Sequence, residues 1–584
     1  MKQVTYPILM LTLLIGTLPA GAAPKPAPKA KRQSSSAQLE QMSSQIQELK
    51  DLVMQQQRRI DELSQQVQQR DQSVTQVQST ATEAAATATS AQKLATQNSE
   101  TVSALNTQVA DMKTSLTSTV ASVQEDQKKL REAGESPVAI RYKGISITPG
   151  GFLAAETVYR SHGYLGDVNT GMNSIPFNGA GQSHLSDFFG SGRATRVTLL
   201  LEGKIKSAKL TGYFETDWLG AGTTSNNNQT NSYVNRQRQI WGQVALDNGI
   251  TVTGGQMFTL LTETKKGTDN RTEGLPMTID PAYSAGFTFA RQFGLRVQKN
   301  FHNKIWLAFA MENPQTLVTA SGNASNFVVG GPGNAAGVYN STANYSFNYT
   351  PDFIAKAVFE PGFGHYEVFG IVRNFRDRIY PNAAATTPSA AGAVNSKVTG
   401  GGIGANARVT VAKKVDLGLH VFGGNGVGRY GTGGLPDVTV RPDGRLVLLQ
   451  SFQSIATLEV HAKHWDWYFN GGGEFVGKSW NLNDAGRPVG YGSPLFNNTG
   501  CNAETLPAAA SGYAPGTPAS CVGHTRNLLE FTGGFWFKPY NGPKGRIQFG
   551  PQYSYLVRNT WSGMGAQPSA IENMVFTSFR YYIP

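Results

Sequence analysis

From Leu39 to Leu130 an apolar residue returns every seven positions, and from about residue 150 every second position, so the chain changes period once. The first pattern is carried by Leu39, Ile46, Val53, Ile60, Val67, Val74, Ala81, Ala88, Ala95, Val102, Val109, Leu116, Val123 and Leu130. The positions three residues further on are mixed. Met42, Leu49, Leu63, Val77, Ala84, Ala91, Leu105 and Met112 share them with Gln56, Arg70, Asn98, Thr119 and Asp126. A seven-residue repeat without insertions specifies a left-handed coiled coil. Such a rod would be about 140 Å long at roughly 1.5 Å per residue. It has no way to bury its seam alone, so the pattern predicts an oligomer. The polar positions set register at a cost in stability and leave the number of helices open.

The second pattern is alternation. Val197, Leu199, Leu201, Gly203 and Ile205 oppose Arg196, Thr198, Glu202 and Lys204. Leu210, Gly212, Phe214, Thr216 and Trp218 oppose Lys209, Thr211, Tyr213, Glu215 and Asp217, and Val415, Leu417, Leu419 and Val421 oppose Asp416 and His420. Sixteen such segments are predicted, near residues 151–160, 193–205, 208–218, 235–246, 250–260, 287–299, 304–312, 352–360, 365–375, 400–412, 415–424, 453–463, 466–476, 527–537, 545–557 and 572–583. Alternation alone also suits a soluble sandwich. Here, however, the charged face recurs around the whole chain and the apolar face is rich in aromatics, which predicts a polar lumen and a lipid-facing exterior. Trp218, Trp465 and Tyr581 fall at segment ends, where interfacial girdles belong. Connections alternate short and long, the pattern of periplasmic turns and outer loops. The expected fold class is a transmembrane antiparallel β-barrel of about sixteen strands with an N-terminal α-helical coiled coil. An even count puts both barrel ends, and with them the rod, in the periplasm.

Composition supports this division. Charged residues are only 15% of the chain, against about 25% in ordinary soluble proteins. Lys2, the apolar run Ile8–Leu18 and Ala20-Gly21-Ala22 read as a secretory signal. The expected organisation is signal peptide 1–22, basic Pro/Lys/Ala tail 23–37, periplasmic coiled coil 38–132, linker 133–150 and outer-membrane barrel 151–584. Cys501 and Cys521 are the only cysteines. In an exported chain an even pair in one loop favours a disulfide over a metal pair, because only His524 lies nearby as a further ligand.

Gly255-Gln256-Met257-Phe258-Thr259-Leu260-Leu261 is similar to the Gly-Gln-x-aromatic-Ser segment on strand five of trimeric bacterial porins of the DcaP-like family, and Arg291-Gln292-Phe293-Gly294-Leu295-Arg296 resembles their Arg-Gln-x-x-x-Arg strand. The resemblance implies a homotrimer and a third loop, roughly 261–286, folded into the barrel as a constriction. That loop holds Glu263, Lys265, Lys266, Asp269, Arg271, Glu273 and Asp280. Inward parity adds Arg160, Arg196, Lys204, Arg296, Arg373 and Arg408 from the walls, whereas Arg236 and Arg238 share the outward parity of Ile240 unless a bulge turns them inward. Opposite charges across a narrow opening order water and orient dipolar solutes. The net charge of +12 lies almost wholly after residue 137 and leans towards anions.

Other chemistries find little support. Gly472–Ser479 matches a nucleotide-binding loop, yet it sits inside an alternating strand. His365, Glu367, Glu459 and His461 share inward parity on strands far apart in sequence, and line the lumen. Export argues against a nucleic-acid partner despite a pI of 9.4. The sequence therefore predicts a non-enzymatic outer-membrane porin, without cofactor or metal, for passive diffusion of small hydrophilic solutes with anion preference. Its expected surroundings are outer-membrane lipid and, through residues 24–32, peptidoglycan. The competing reading is a structural tether between outer membrane and cell wall, with the barrel as anchor.

Overall fold

The computed structural model describes residues 91–135 and, except for 221–233, 281, 283, 324–325, 334–342, 384–388, 508–515 and 517, residues 139–584. The chain divides into two units, Met1–Arg131 and Glu132–Pro584. A helix, α1 (Ala91–Glu135), makes up the described part of the first unit and ends four residues past its boundary. Its threonines return their hydroxyls to backbone carbonyls four residues back, as Thr107 does to Ser103 and Thr114 to Ala110, which keeps polar β-branched residues compatible with a helix. Val102, Leu105, Val109, Met112, Leu116 and Val123 are exposed along it. The repeat positions from Leu39 to Ala88 and the side chains of Ala95 and Leu130 lie outside the described residues.

In the second unit sixteen antiparallel strands form a closed barrel. They are β1 (Ile145–Arg160), β2 (Arg196–Ile205), β3 (Ala208–Gly220), β4 (Val234–Leu246), β5 (Ile250–Phe258), β6 (Arg291–Phe301), β7 (Ile305–Glu312) and β8 (Asp352–Phe359). There follow β9 (His365–Ile379), β10 (Val394–Val411), β11 (Val415–Asn425), β12 (Gln450–His461), β13 (Trp465–Val476), β14 (Thr525–Gly542), β15 (Gly545–Thr560) and β16 (Ser569–Tyr582). The sheet closes because β1 pairs with β2 along Ser146–Phe152 and with β16 along Phe152–Arg160. Each strand falls on a segment that the alternation predicts. Within residues 133–150, α1 runs to Glu135 and β1 starts at Ile145. Pro149 is accommodated because only β2 flanks β1 at that point, so its missing N–H faces no second strand.

The connections alternate. Short turns at 206–207, 247–249, 302–304 and 412–414 place Lys206, His302, Asn303 and Lys413 at positive φ, the backbone that matches strand twist across a tight hairpin. The barrel is inside-out. Along β7, Ile305, Leu307, Phe309 and Met311 are exposed while Trp306, Ala308, Ala310 and Glu312 are buried. Phe293, Val368, Ile403, Leu419, Phe469, Phe531 and Phe579 continue the exposed apolar surface, and Glu156, Lys356, Glu367, Arg373, Glu459 and Glu530 are buried inside. Exposed apolar area on this scale requires a non-aqueous environment. None of the described helices is long and apolar enough to cross a membrane.

The interior is filled largely by loops. Val168, Met172 and Ile175 from the first loop, Ile279 and Ala285 from the third, Leu435 from the sixth and Tyr491 from the seventh join the inward residues Val158, Leu528 and Leu556 in one apolar cluster. Leu260 and Leu261 pack against Ile354, Phe369 and Phe422 on the other side.

Candidate functional site

The third loop, residues 259–290, leaves β5 and crosses the lumen. Its backbone is met by inward carboxylates from most of the wall. Glu312 accepts from Leu260 N (2.7 Å), Glu367 from Thr264 N (2.9 Å), Glu459 from Met277 N (3.0 Å), Glu530 from Ala285 N (2.8 Å) and Glu474 from Gly286 N (3.1 Å). Lys356 donates to Thr262 O (2.7 Å) and Arg408 to Glu263 (2.6 Å). Buried charge is tolerable only when so partnered. Burial pushes the Glu263 carboxyl up to about 7, against the opposing pull of Arg408. At the loop tip Gly267 has positive φ, and a Cβ there would lie 2.5 Å from the Trp306 ring, so glycine is required for this close approach.

On the opposite wall, β2 to β6, the inward charges other than Arg296 have no such hydrogen bonds to the loop among the described residues. Arg196, Arg236, Arg238 and Arg291 converge around Glu215 and Asp217. Arg236 and Arg238 reach Asp217 at 2.8 and 2.6 Å, while Arg238 and Arg196 reach Glu215 at 2.5 and 3.4 Å. Parity alone would send Arg236 and Arg238 outward. A bulge resets them, because Glu215 pairs with Gln239 but Thr216 with Gln237, leaving Arg238 as the extra residue. Arg291 lies over the rings of Phe258 and Phe289, at 5.7 and 5.2 Å. Among the described residues it has no carboxylate partner, and its Nη1 is buried without a hydrogen bond. From the third loop Arg271 lies over the Tyr213 ring at 5.1 Å, and Glu273, its carboxyl raised by burial, accepts from Arg271 N.

The residues singled out from sequence thus separate into groups. Arg196, Arg271 and Glu273 lie at the arginine wall. Lys265 and Lys266 are exposed at the loop tip. Glu263 and Arg408 hold the loop, Asp269 accepts from Gln298 (3.0 Å), and Arg296 donates to Phe258 O and Asn270 (both 2.7 Å). Arg373 is 1% exposed and binds Asp352 (3.0 Å) and Asp437 (2.7 Å), joining the wall to the sixth loop. Glu263, Arg296, Arg373 and Arg408 are each less than a tenth exposed and committed to protein partners, so they brace the lumen. The wall arginines on β4 were hidden by the bulge. Arg291 was visible only as part of a motif.

In the seventh loop Cys501 and Cys521 form a disulfide with Cα atoms 4.6 Å apart. Close by, His524 stacks on Tyr491 (4.3 Å), accepts from Gly492 N at Nδ1 (2.9 Å) and faces Ser321 Oγ with Nε2 (3.0 Å). Because Nδ1 accepts, Nε2 carries the proton and donates to Ser321. That is the wrong tautomer for activating a serine, so the pair joins the fourth and seventh loops. Gly472–Val476, within the apparent nucleotide loop, lies in β13 and is followed by the short strand Ser479–Leu482, with no helix N-terminus to receive phosphate.

No family model matches the chain, and no curated protein matches it. Solved structures do. The outer-membrane channel DcaP of Acinetobacter baumannii superposes with TM-score 0.52 at 14% identity, covering 76% of this chain and 99% of that one. OmpT of Vibrio cholerae gives TM-score 0.40 at 9% identity over 76% and 99%. An anion-selective porin from Comamonas acidovorans gives 0.39 at 10% over 75% and 100%. With its closed sixteen-strand barrel, inward charges and third loop in the lumen, the chain has the fold of the DcaP outer-membrane channel.

Proposed function

We propose that this protein is an outer-membrane porin through which small hydrophilic solutes diffuse passively, with anions favoured. The observation that carries the reading is the arginine wall on β2 to β6, set in an inside-out barrel and left uncovered by the loop ties that occupy the other strands. Five cations, Arg196, Arg236, Arg238, Arg271 and Arg291, share this region with the acids Glu215, Asp217 and Glu273. Arg291, with no carboxylate of its own, offers a guanidinium edge to a passing carboxylate or phosphate. The chain works as a trimer, and the exposed heptad stripe of α1 supports assembly of its helices into a periplasmic coiled coil.

Single-channel recording in a planar bilayer tests this directly. The expected result is stable openings in steps of three with a reversal potential of anionic sign under a KCl gradient. A cationic reversal potential would overturn the anion preference, and folded protein that never conducts would overturn the porin reading.

A further inference from the structure

At the short-turn end of the lumen, three side chains converge from neighbouring strands. Asp416 on β11 and Glu459 on β12 are directly opposite in the ladder, and His461 follows Glu459 on the same face. The ligand atoms of all three lie within 4.8 Å of one another. Two carboxylates directly opposite on one face repel, so the arrangement needs a compensating positive charge.

Each carboxylate has one oxygen engaged and the other turned to the centre. Asp416 Oδ1 accepts from Thr410 (2.6 Å), and Glu459 Oε1 accepts from Met277 N (3.0 Å). The remaining Asp416 Oδ2 and Glu459 Oε2 face His461 Nε2 at 3.3 and 3.8 Å. Glu459 is 1% exposed, and its Oε2 has no hydrogen-bond partner, a costly state for a buried carboxylate oxygen. The other ring nitrogen is also placed. His461 Nδ1 faces Asp466 at 3.1 Å, and Asp466 is held by Lys538 at 2.7 Å. Asp466 can only accept, so Nδ1–H donates to it, and Nε2, 3.3 Å from Asp416 Oδ2, is the ligand atom that a cation would take over from that contact. The nearest guanidinium, that of Arg408, binds Glu263 through Nε; its Nη1 stands 3.8 Å from Glu459 Oε1, makes no hydrogen bond, and leaves Oε2 untouched.

We infer that Asp416, Glu459 and His461 form a binding site for a divalent transition-metal cation of the Zn²⁺ class, with Asp466 orienting the histidine. The separations suit it, since ligands on a tetrahedral Zn²⁺ at about 2.0–2.1 Å stand roughly 3.3 Å apart. A histidine whose second nitrogen is held by a carboxylate is the usual arrangement behind a bound metal. His461 is 36% exposed, leaving the fourth position to water on the lumen side. Sequence parity grouped Glu459 with His461 but gave no reason to add Asp416, which comes from the adjacent strand.

Isothermal titration of the full-length, chelator-stripped protein with ZnCl₂, checked for folding by its mobility before and after heating, tests the site. Wild type takes up one Zn²⁺ per chain. His461→Gln, Asp416→Asn and Glu459→Gln each lose at least about 100-fold in affinity, and Asp466→Asn loses roughly 10–100-fold. The two carboxamide variants keep side-chain shape and decide the matter should His461→Gln misfold. Folded wild type that takes up no Zn²⁺ would overturn the proposal. Undiminished binding in all three variants, or tighter binding of Ca²⁺ than of Zn²⁺, would also overturn it. The titration reads metal rather than current, so its failure and that of the porin reading are distinguishable.

Discussion

The two walls of the lumen are built on the same alternating pattern and end in different states. On β8 to β14 inward charges are largely tied to loops, to the third in the case of Lys356 and Glu367, both 0% exposed at the side chain and 2.8 Å apart, and to the sixth in the case of Arg373. On β2 to β4 they meet mainly one another, and Arg196 and Arg236 keep 27% and 34% of their side chains exposed. A lumen-facing charge is therefore structural or available to a solute according to what crosses in front of it. Strand position alone does not decide.

Breaking the tied wall has the largest expected effect. Lys356→Met leaves Glu367 buried with a lost counter-charge, and removing one partner of a buried pair costs about 3–5 kcal/mol. Urea unfolding in detergent should show it, together with noisier single-channel current as Thr262 and Thr264 come loose from the wall. A loss below about 1 kcal/mol would mean that the loop is held elsewhere.

Next in size is an acid effect confined to the outer loops. Burial holds the His524 imidazole down at about 4, below the ordinary value of about 6.5. A base depressed in the folded state contributes stability that is present above about 6.5 and lost as pH falls towards 4, at most roughly 3 kcal/mol here. Hydrogen exchange of residues around Ser321, Tyr491 and Gly492 should accelerate across that window in wild type. In His524→Gln it should be faster at all pH values and flat across the window. A pH-dependent variant would assign the transition to another group.

The smallest effect on stability belongs to the open wall, where the functional effect is largest. Arg291→Gln removes a cation with no carboxylate partner, so unfolding should shift by less than about 1 kcal/mol. The anion-to-cation permeability ratio should fall several-fold. Unchanged selectivity, with Arg373→Gln altering it instead, would reverse the contrast between the walls.

Much of the fold was legible because its causes are local. The period-two segments predicted all sixteen strands, since a strand between lipid and a polar lumen must alternate residue by residue. The gaps between those segments marked the short and long connections. The candidate site was less legible. Arg196, Arg271 and Glu273 could be named from parity and loop position, whereas Arg236 and Arg238 depended on one extra residue that resets parity.

What sequence alone determined here is periodic: a heptad repeat, then a barrel with its charges inward. What only the tertiary structure decided is which inward charges meet. Arg408 finds Glu263 across 145 residues, Glu459 finds Met277 across 182, and Asp416 joins His461 from the adjacent strand. Alternation reports the face of a strand and carries no information about the opposite wall. Those meetings depend on barrel closure, on a bulge and on the path of one loop, and they separate charges braced by a loop from charges that meet other wall residues.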